Sequence, residues 1–326
     1  MTSKERVIAA ITFNNPDRIP IDVWPVPAVY LRYGAKVDEL FEKYPLDFAK
    51  PKWDPSKLDP RFKLGRYRDE WGVVWETALE GYLGMPVEPP LKDYRMLKSF
   101  KPPFNDIPGI VAPDDIAENP DKFWLGSGGE FFHRMCWLRG MDNVLVDLMC
   151  GPAELFKLRE MLLEFYTLQV SRQIKTGVDA IQFSDDFGSQ NQLLMPPAIW
   201  RSFIKPVFRE LFAICKSASK FIFFHSDGYI MEIMEDFIEM GVDVLNSQVW
   251  CMGAELLGKK FRGRITFWGE IDRQHTLPHG SPDDVRQAAV TLKKHLSTPA
   301  GGLIGQGEID GLTPLENIEA LLTAWS

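Results

Sequence analysis

The sequence predicts an α/β fold, a (β/α)8 TIM barrel with an irregular proline-rich insertion covering one end. Three observations predict it. From Phe123 onward, short apolar runs alternate with helical stretches of roughly 10–20 residues, the rhythm of parallel βαβ units. Each apolar run ends in acidic, amide or glycine residues, as strands do when they feed a loop-borne site. The chain has 326 residues, enough for one barrel domain spanning 1–326, since such domains commonly use about 250 or more. The alternative, an open doubly wound sheet, lacks a GxGxxG after the first strand to favour it.

The elements follow in order. Thr2-Ser3-Lys4-Glu5 has the form of a capping box, and Val7, Ile8 and Ile11 give one apolar helical stripe that stops near Asn14-Asn15-Pro16. Arg18 to Trp24 reads as the first barrel strand, and Leu46-Asp47-Phe48 supplies an eighth. The stretch 45–120 holds 12 of the 24 prolines, too dense for long helices or central strands. It reads as an irregular layer with a small hairpin, one strand of which runs from Asp69 to Trp75.

Phe123 to Gly129 is a strand entering a glycine-rich loop, and helical sequence covers about Met141 to Thr176, with Pro152 opening a new helix. Val178 to Phe183 ends in Ser184-Asp185-Asp186. A helix from Pro196 to about Lys216 is broken or kinked by Pro206. Phe221 to Phe224 is a strand buried on both faces that ends in His225-Ser226-Asp227-Gly228. A helix near Ile230–Met240 follows. Val242 to Leu245 ends in Asn246-Ser247-Gln248, and Ile265 to Trp268 ends in Gly269-Glu270-Ile271-Asp272. Ser281 caps a helix with Pro282 in its first turn. Gly302 to Ile304 ends in Gly305-Gln306-Gly307-Glu308, and Thr313-Pro314-Leu315-Glu316 predicts a capping box for the last helix.

A net charge of −8 argues against general nucleic-acid binding, which needs a basic face. Four cysteines without a CxxC pair favour a reducing compartment. There is no apolar leader and no run of 18 apolar residues, so a cytoplasmic protein without membrane association is expected. The composition leaves the oligomeric state open and is compatible with a homodimer.

In barrels of this kind the chemistry sits where strands end. The polar residues there are Asp185, Asp186, His225, Asp227, Asn246, Gln248, Glu270, Asp272, Gln306 and Glu308. Each alone has a plain alternative as a helix cap. As a set they predict one cleft, where crowded carboxylates repel one another unless a cation is shared. His225 is the histidine at a strand end. His133 follows Glu130-Phe131-Phe132 in a loop within reach of the same cleft, and Trp24, Trp71, Trp75 and Trp268 either line an apolar pocket or belong to the core.

These pieces, taken in order, resemble the uroporphyrinogen decarboxylase superfamily, and within it the branch of corrinoid-linked methyltransferases. The carrying residues are Lys4-Glu5-Arg6-Val7, Pro16-Asp17-Arg18-Ile19-Pro20, Gly177-Val178-Asp179 with Asp185-Asp186, and His225-Ser226-Asp227-Gly228. Gly241-Val242-Asp243, Gly269-Glu270-Ile271-Asp272 and Thr313-Pro314-Leu315-Glu316-Asn317-Ile318 complete them. The resemblance implies the same barrel. Two departures bear on function. True decarboxylases carry an arginine-rich segment after the first strand, where this chain has Pro25-Val26-Pro27-Ala28, so the guanidinium clamp on substrate carboxylates is missing. The zinc methyltransferases use His-x-Cys and a later Cys, where this chain has Asp227 and Gly307.

The resulting expectation is an enzyme that moves a methyl group from a small methylated ether or amine to a corrinoid carried by a partner protein. His225, Asp227, Glu270 and Glu308 are its candidate catalytic residues. Asp186, Asn246, Gln248, Gln306, Trp24 and Trp268 are candidates for holding a small-molecule substrate. His225, Asp227 and Glu308 could bind zinc or another divalent metal, a harder donor set than thiolates. The runner-up is decarboxylation or another lyase reaction on a small carboxylated molecule, with Arg134, Arg139 or Arg273 as the anion clamp. A non-catalytic ligand-binding barrel is the third reading.

Overall fold

The computed structural model describes residues 1–50, 53–105, 107 and 109–325. Four positions of the proline-rich stretch (51, 52, 106 and 108) and position 326 lie outside the described residues. In chain order the strands are β1 (Trp24–Pro25), β2 (Gly65–Arg68), β3 (Val74–Thr77), β4 (Met85–Glu88), β5 (Leu125–Gly129), β6 (Ala180–Ser184), β7 (Phe221–Ser226), β8 (Val244–Ser247), β9 (Thr266–Glu270), β10 (Leu303–Gln306) and β11 (Glu308–Ile309). The chain forms two compact units. One comprises Met1–Leu58, Ala117–Leu125 and Val242–Ser326, and the other Asp59–Ile116 and Gly126–Gly241.

In the first unit β8, β9 and β10 lie side by side in parallel, with Val244 opposite Thr266 and Leu303 opposite Phe267. β1 pairs in parallel with β11, Trp24 opposite Glu308, and Ile21 bridges Gly305. Both strands expected near the chain start therefore carry parallel pairing, the second through Phe48 and its bridge to Phe123. A buried charge knot holds them. Asp47, fully buried, accepts from Arg6 (2.6 Å), Arg18 (2.8 Å) and the Ile21 amide (2.8 Å). Arg6 also reaches Asp17 at 2.6 Å. The Lys-Glu-Arg and Asp-Arg segments of the family resemblance thus serve to anchor a strand. The Thr2 capping box is present on the helix Ser3–Ile11, and Ser281 forms another with Asp284.

In the second unit β5, β6 and β7 run side by side, β6 and β7 in parallel with Ser184 opposite His225. Helices Phe131–Arg139, Met141–Cys150 and Ala153–Thr176 follow β5. Rings from Phe183, Phe187, Phe208, Phe212 and Phe224 pack around this sheet with centroids 5.0–6.3 Å apart. A rigid apolar floor results, since close-packed rings leave no room to shift. The 59–116 part of the proline-rich stretch contributes the antiparallel sheet β2–β3–β4.

Several local expectations change. Asp69 to Val73 forms a turn ahead of β3, because the Asp69 carboxylate accepts from the Trp71 and Val73 amides (3.0 and 2.8 Å) and closes the chain on itself. His133 lies in a helix, its N-terminal amides capped from a distant strand as described below. Ahead of Pro206 the helix widens into a π turn at Trp200–Ile204. The helix expected near Ile230–Met240 is confined to Met234–Glu239. Thr313 makes no capping box. Its hydroxyl faces Asp310, and Pro314, with no hydroxyl, is the N-cap of Leu315–Thr323.

Candidate active site

Parallel register explains how the central cluster forms. With Ser184 beside His225, the two residues after β6 and the two after β7 emerge together. The Asp185 amide donates to the His225 carbonyl (3.0 Å), and the Asp227 amide donates to the Asp186 carboxylate (2.8 Å). Asp186, His225 and Asp227 consequently offer three ligating atoms within 4.8 Å of one another. His225 Nε2 lies 3.5 Å from an oxygen of Asp186 and 3.5 Å from an oxygen of Asp227.

Glycines let the two loops run this close. A Cβ on Gly228 would stand 2.1 Å from the Gly188 carbonyl oxygen, and one on Gly188 would stand 2.5 Å from the Tyr229 amide nitrogen. Gly228 also has φ +80°, a conformation side chains resist.

Asp185, fully buried, does something the sequence did not reveal. Its carboxylate accepts from the amides of Phe132 (2.6 Å) and His133 (2.8 Å), capping the helix Phe131–Arg139 from outside. That cap turns His133 toward the cluster, with Nε2 3.3 Å from Asp186 and Nδ1 3.7 Å from Asp185. Its ring stacks on Trp137 at 5.6 Å and 11°. Burial is the largest influence on His133 and lowers its pKa, but the Asp186 contact and the charges of Asp185 and Asp186 outweigh it, raising the pKa to about 9. Burial raises Asp185 to about 7 against the pull of His133 and the two amide donors. For Asp186 burial pushes upward, and hydrogen bonds from His133 and His225 with their charges prevail, holding it well below the usual carboxylate range. One carboxylate shared by two imidazoles is a site built for negative charge.

The other candidates sit in the first unit. Arg273 pairs with Glu308 at 3.1 Å and lies 3.8 Å from Glu270. Asn246, fully buried, donates to the Trp268 carbonyl (2.7 Å) and more weakly to Gln306 (3.4 Å). Trp268, also fully buried, meets Trp24 edge to face at 4.8 Å, and Trp24 Nε1 donates to Asp22 (2.9 Å). Gln248 is buried, and its carbonyl accepts from the Cys251 thiol. Asp272 caps the amides of Gln274 and His275 (2.8 and 3.1 Å), the plain alternative for a strand-end aspartate. Among the described residues, then, the metal-capable group is Asp186, His225 and Asp227, while Glu308, expected as a further ligand, is paired with Arg273 in the first unit.

Of the arginines considered as anion clamps, Arg139 is held by Asp147 (2.9 Å) over the Tyr94 ring, and Arg273 by Glu308. Arg134 is different. It lies buried between Trp71 and Trp137, 4.5 and 4.7 Å from their ring centres, and its Nε and Nη1 make no hydrogen bond among the described residues.

Residues 132–326 match the family model described as uroporphyrinogen decarboxylase (URO-D). The chain belongs to the uroporphyrinogen decarboxylase family. A solved methyltransferase from Methanosarcina mazei is similar to it over 99% of this chain and 98% of that one, with TM-score 0.69 and 15% identity. At that identity the likeness bears on fold alone, and it is the parallel α/β, TIM-barrel-like fold the sequence predicted. A dihydropteroate synthase from Coxiella burnetii, solved with pteroic acid, is 15% identical over 60% of this chain and 65% of its own, with TM-score 0.35, too low to argue from. No curated protein matches the sequence. Where related methyltransferases have a second cysteine this family member has Gly307, and a Cβ there would come 2.7 Å from a Leu321 methyl carbon. No helix among the described residues is long and apolar enough to cross a membrane.

Proposed function

We propose that this member of the family is a methyltransferase that takes a methyl group from a small methylated ether or amine and delivers it to a corrinoid carried by a partner protein. The observation that carries the reading is the convergence of Asp186, His225 and Asp227 within 4.8 Å. The donor set fits a divalent metal such as zinc. Ligands at about 2.0–2.2 Å around a tetrahedral ion stand roughly 3.3–3.6 Å apart, and His225 Nε2 stands 3.5 Å from both carboxylates. Two carboxylates and one imidazole also form a harder set than thiolates, suited to an oxygen or nitrogen substrate atom. When bound, the ion would supply Lewis-acid polarisation of the heteroatom that carries the methyl group.

The chain's own residues do the rest. Asp186 keeps Asp227 in place through its amide, and both carboxylates fix the His225 ring. His133 Nε2 stands 3.3 Å from Asp186, within reach of the site as a proton source. The carbon–heteroatom bond breaks with its electron pair left on the heteroatom, and an ether oxygen leaving this way takes up a proton. The methyl group passes to the corrinoid acceptor.

The test is a spectrophotometric assay of cobalt methylation with zinc-loaded protein, reduced corrinoid, and a panel of methyl ethers and methylated amines. Methylation that falls by about 100-fold or more in His225→Ala is expected. No methylation from any member of the panel overturns the reading. Carbon dioxide release from carboxylated substrates would instead support the lyase alternative, which the incompletely bonded Arg134 keeps in view.

A further inference from the structure

A cavity of about 660 Å³ opens in the second unit, lined by Arg61, Tyr67, Glu70, Glu130, Arg134 and Tyr166 among others. Trp137 joins it to the cluster, since His133 stacks on that ring and the Arg134 guanidinium lies 4.7 Å from it. The charges in the cavity are incompletely paired. Arg61 is clamped by Asp59 at 2.7 Å. Arg134 is 7% exposed, and the carboxylate it approaches, Asp69 at 3.7 Å, is beyond hydrogen-bond reach. Asp69 is already occupied by the Trp71 and Val73 amides and by Trp75 Nε1 (2.9 Å). Among the described residues the Arg134 Nε and Nη1 therefore have no acceptor, a state a buried guanidinium seldom keeps without a ligand. Glu70 and Glu130 also line the cavity, and neither makes an ion pair or side-chain hydrogen bond among the described residues.

Glu130 is the N-cap of the helix that carries Arg134, and both residues line the cavity. The Trp71 and Trp137 rings hold the guanidinium, and its Nε and Nη1 are buried without a hydrogen-bond partner among the described residues. We propose that this cavity binds a small zwitterion, its carboxylate at Arg134 and its ammonium at Glu130 and Glu70 beside the Tyr67 and Tyr166 rings. An N-methylated amino acid is the chemical class. Calling that molecule the methyl donor rests on the methyl-transfer reading above; its binding does not.

The experiment is isothermal titration calorimetry on the full chain with N,N-dimethylglycine, and with acetate and trimethylammonium as half-molecules. Dimethylglycine should bind at least roughly tenfold more tightly than either half. Arg134→Met and Glu130→Gln should each weaken it by about tenfold. If Arg134→Met fails to fold, Arg134→Lys, which keeps the charge and loses the fork, should show an intermediate loss. Acetate binding as well as dimethylglycine, with Glu130→Gln silent, overturns the zwitterion. So does the absence of any dimethylglycine binding. Dimethylglycine binding without cobalt methylation from it or from any ether or amine of the panel would sink the methyl-transfer reading and leave this site standing, whereas methylation from other amines without dimethylglycine binding would do the reverse.

Discussion

His133 is the residue whose chemistry depends most on its surroundings. Its neighbours Asp185 and Asp186 overcome burial and raise its pKa to about 9. An unfolded histidine titrates near 6.5, so the folded chain holds the proton more tightly. The stability this adds is complete below about pH 6.5 and is lost as the pH rises through about 9. Denaturant unfolding of chelator-treated protein, compared with His133→Gln, should therefore show an advantage for the native residue that shrinks from pH 6.5 to 9. An advantage that grows with pH would contradict the arrangement. In the sequence the residue was visible as a histidine in a loop within reach of the cleft, but its helix and its partners were not. Asp185, just past the end of β6, supplies both.

At the level of elements, the two loops leaving β6 and β7 form the site because their backbones touch. Gly228 is the point of contact, with φ +80° and only 2.1 Å between a notional Cβ and the Gly188 oxygen. Gly228→Ala should lower stability by about 2 kcal/mol or more, combining left-handed strain with a backbone clash. Because Asp227 precedes it, divalent-metal affinity measured by calorimetry should fall as well. A variant with unchanged stability and metal affinity would show that the loops do not depend on this approach. The sequence motif His-Ser-Asp-Gly announced a turn. It did not announce that the turn is braced against Gly188, because a contact across two loops leaves no periodic trace in either.

Across the whole chain, the family match begins at residue 132, but the first unit draws on residues far upstream of that point. β11 pairs with β1, Gly305 bridges Ile21, and Asp47 gathers Arg6, Arg18 and the Ile21 amide. A fragment of residues 132–326 would expose the β11 and Gly305 edge and lose that knot. It should show no cooperative thermal transition by circular dichroism and should be cut rapidly by protease, unlike the full chain. A cooperative transition close to that of the full chain would mean that the upstream strands are dispensable.

By itself the sequence determined the alternation of strands and helices, the ends at which polar residues gather, and the two helix caps at Thr2 and Ser281. These depend on local periodicity and on side chains bonding their own turn, which a linear pattern records. Only the tertiary structure decided which strand-end residues meet. Register between β6 and β7 brought Asp186 to His225 and Asp227. In the first unit, Arg273 took Glu308, and Asp272 served as a cap. The same folding set Arg134 between Trp71 and Trp137, short of hydrogen-bond partners at the wall of a cavity. Contacts between segments far apart in the chain depend on how strands pair and how rings pack. No residue carries that information alone.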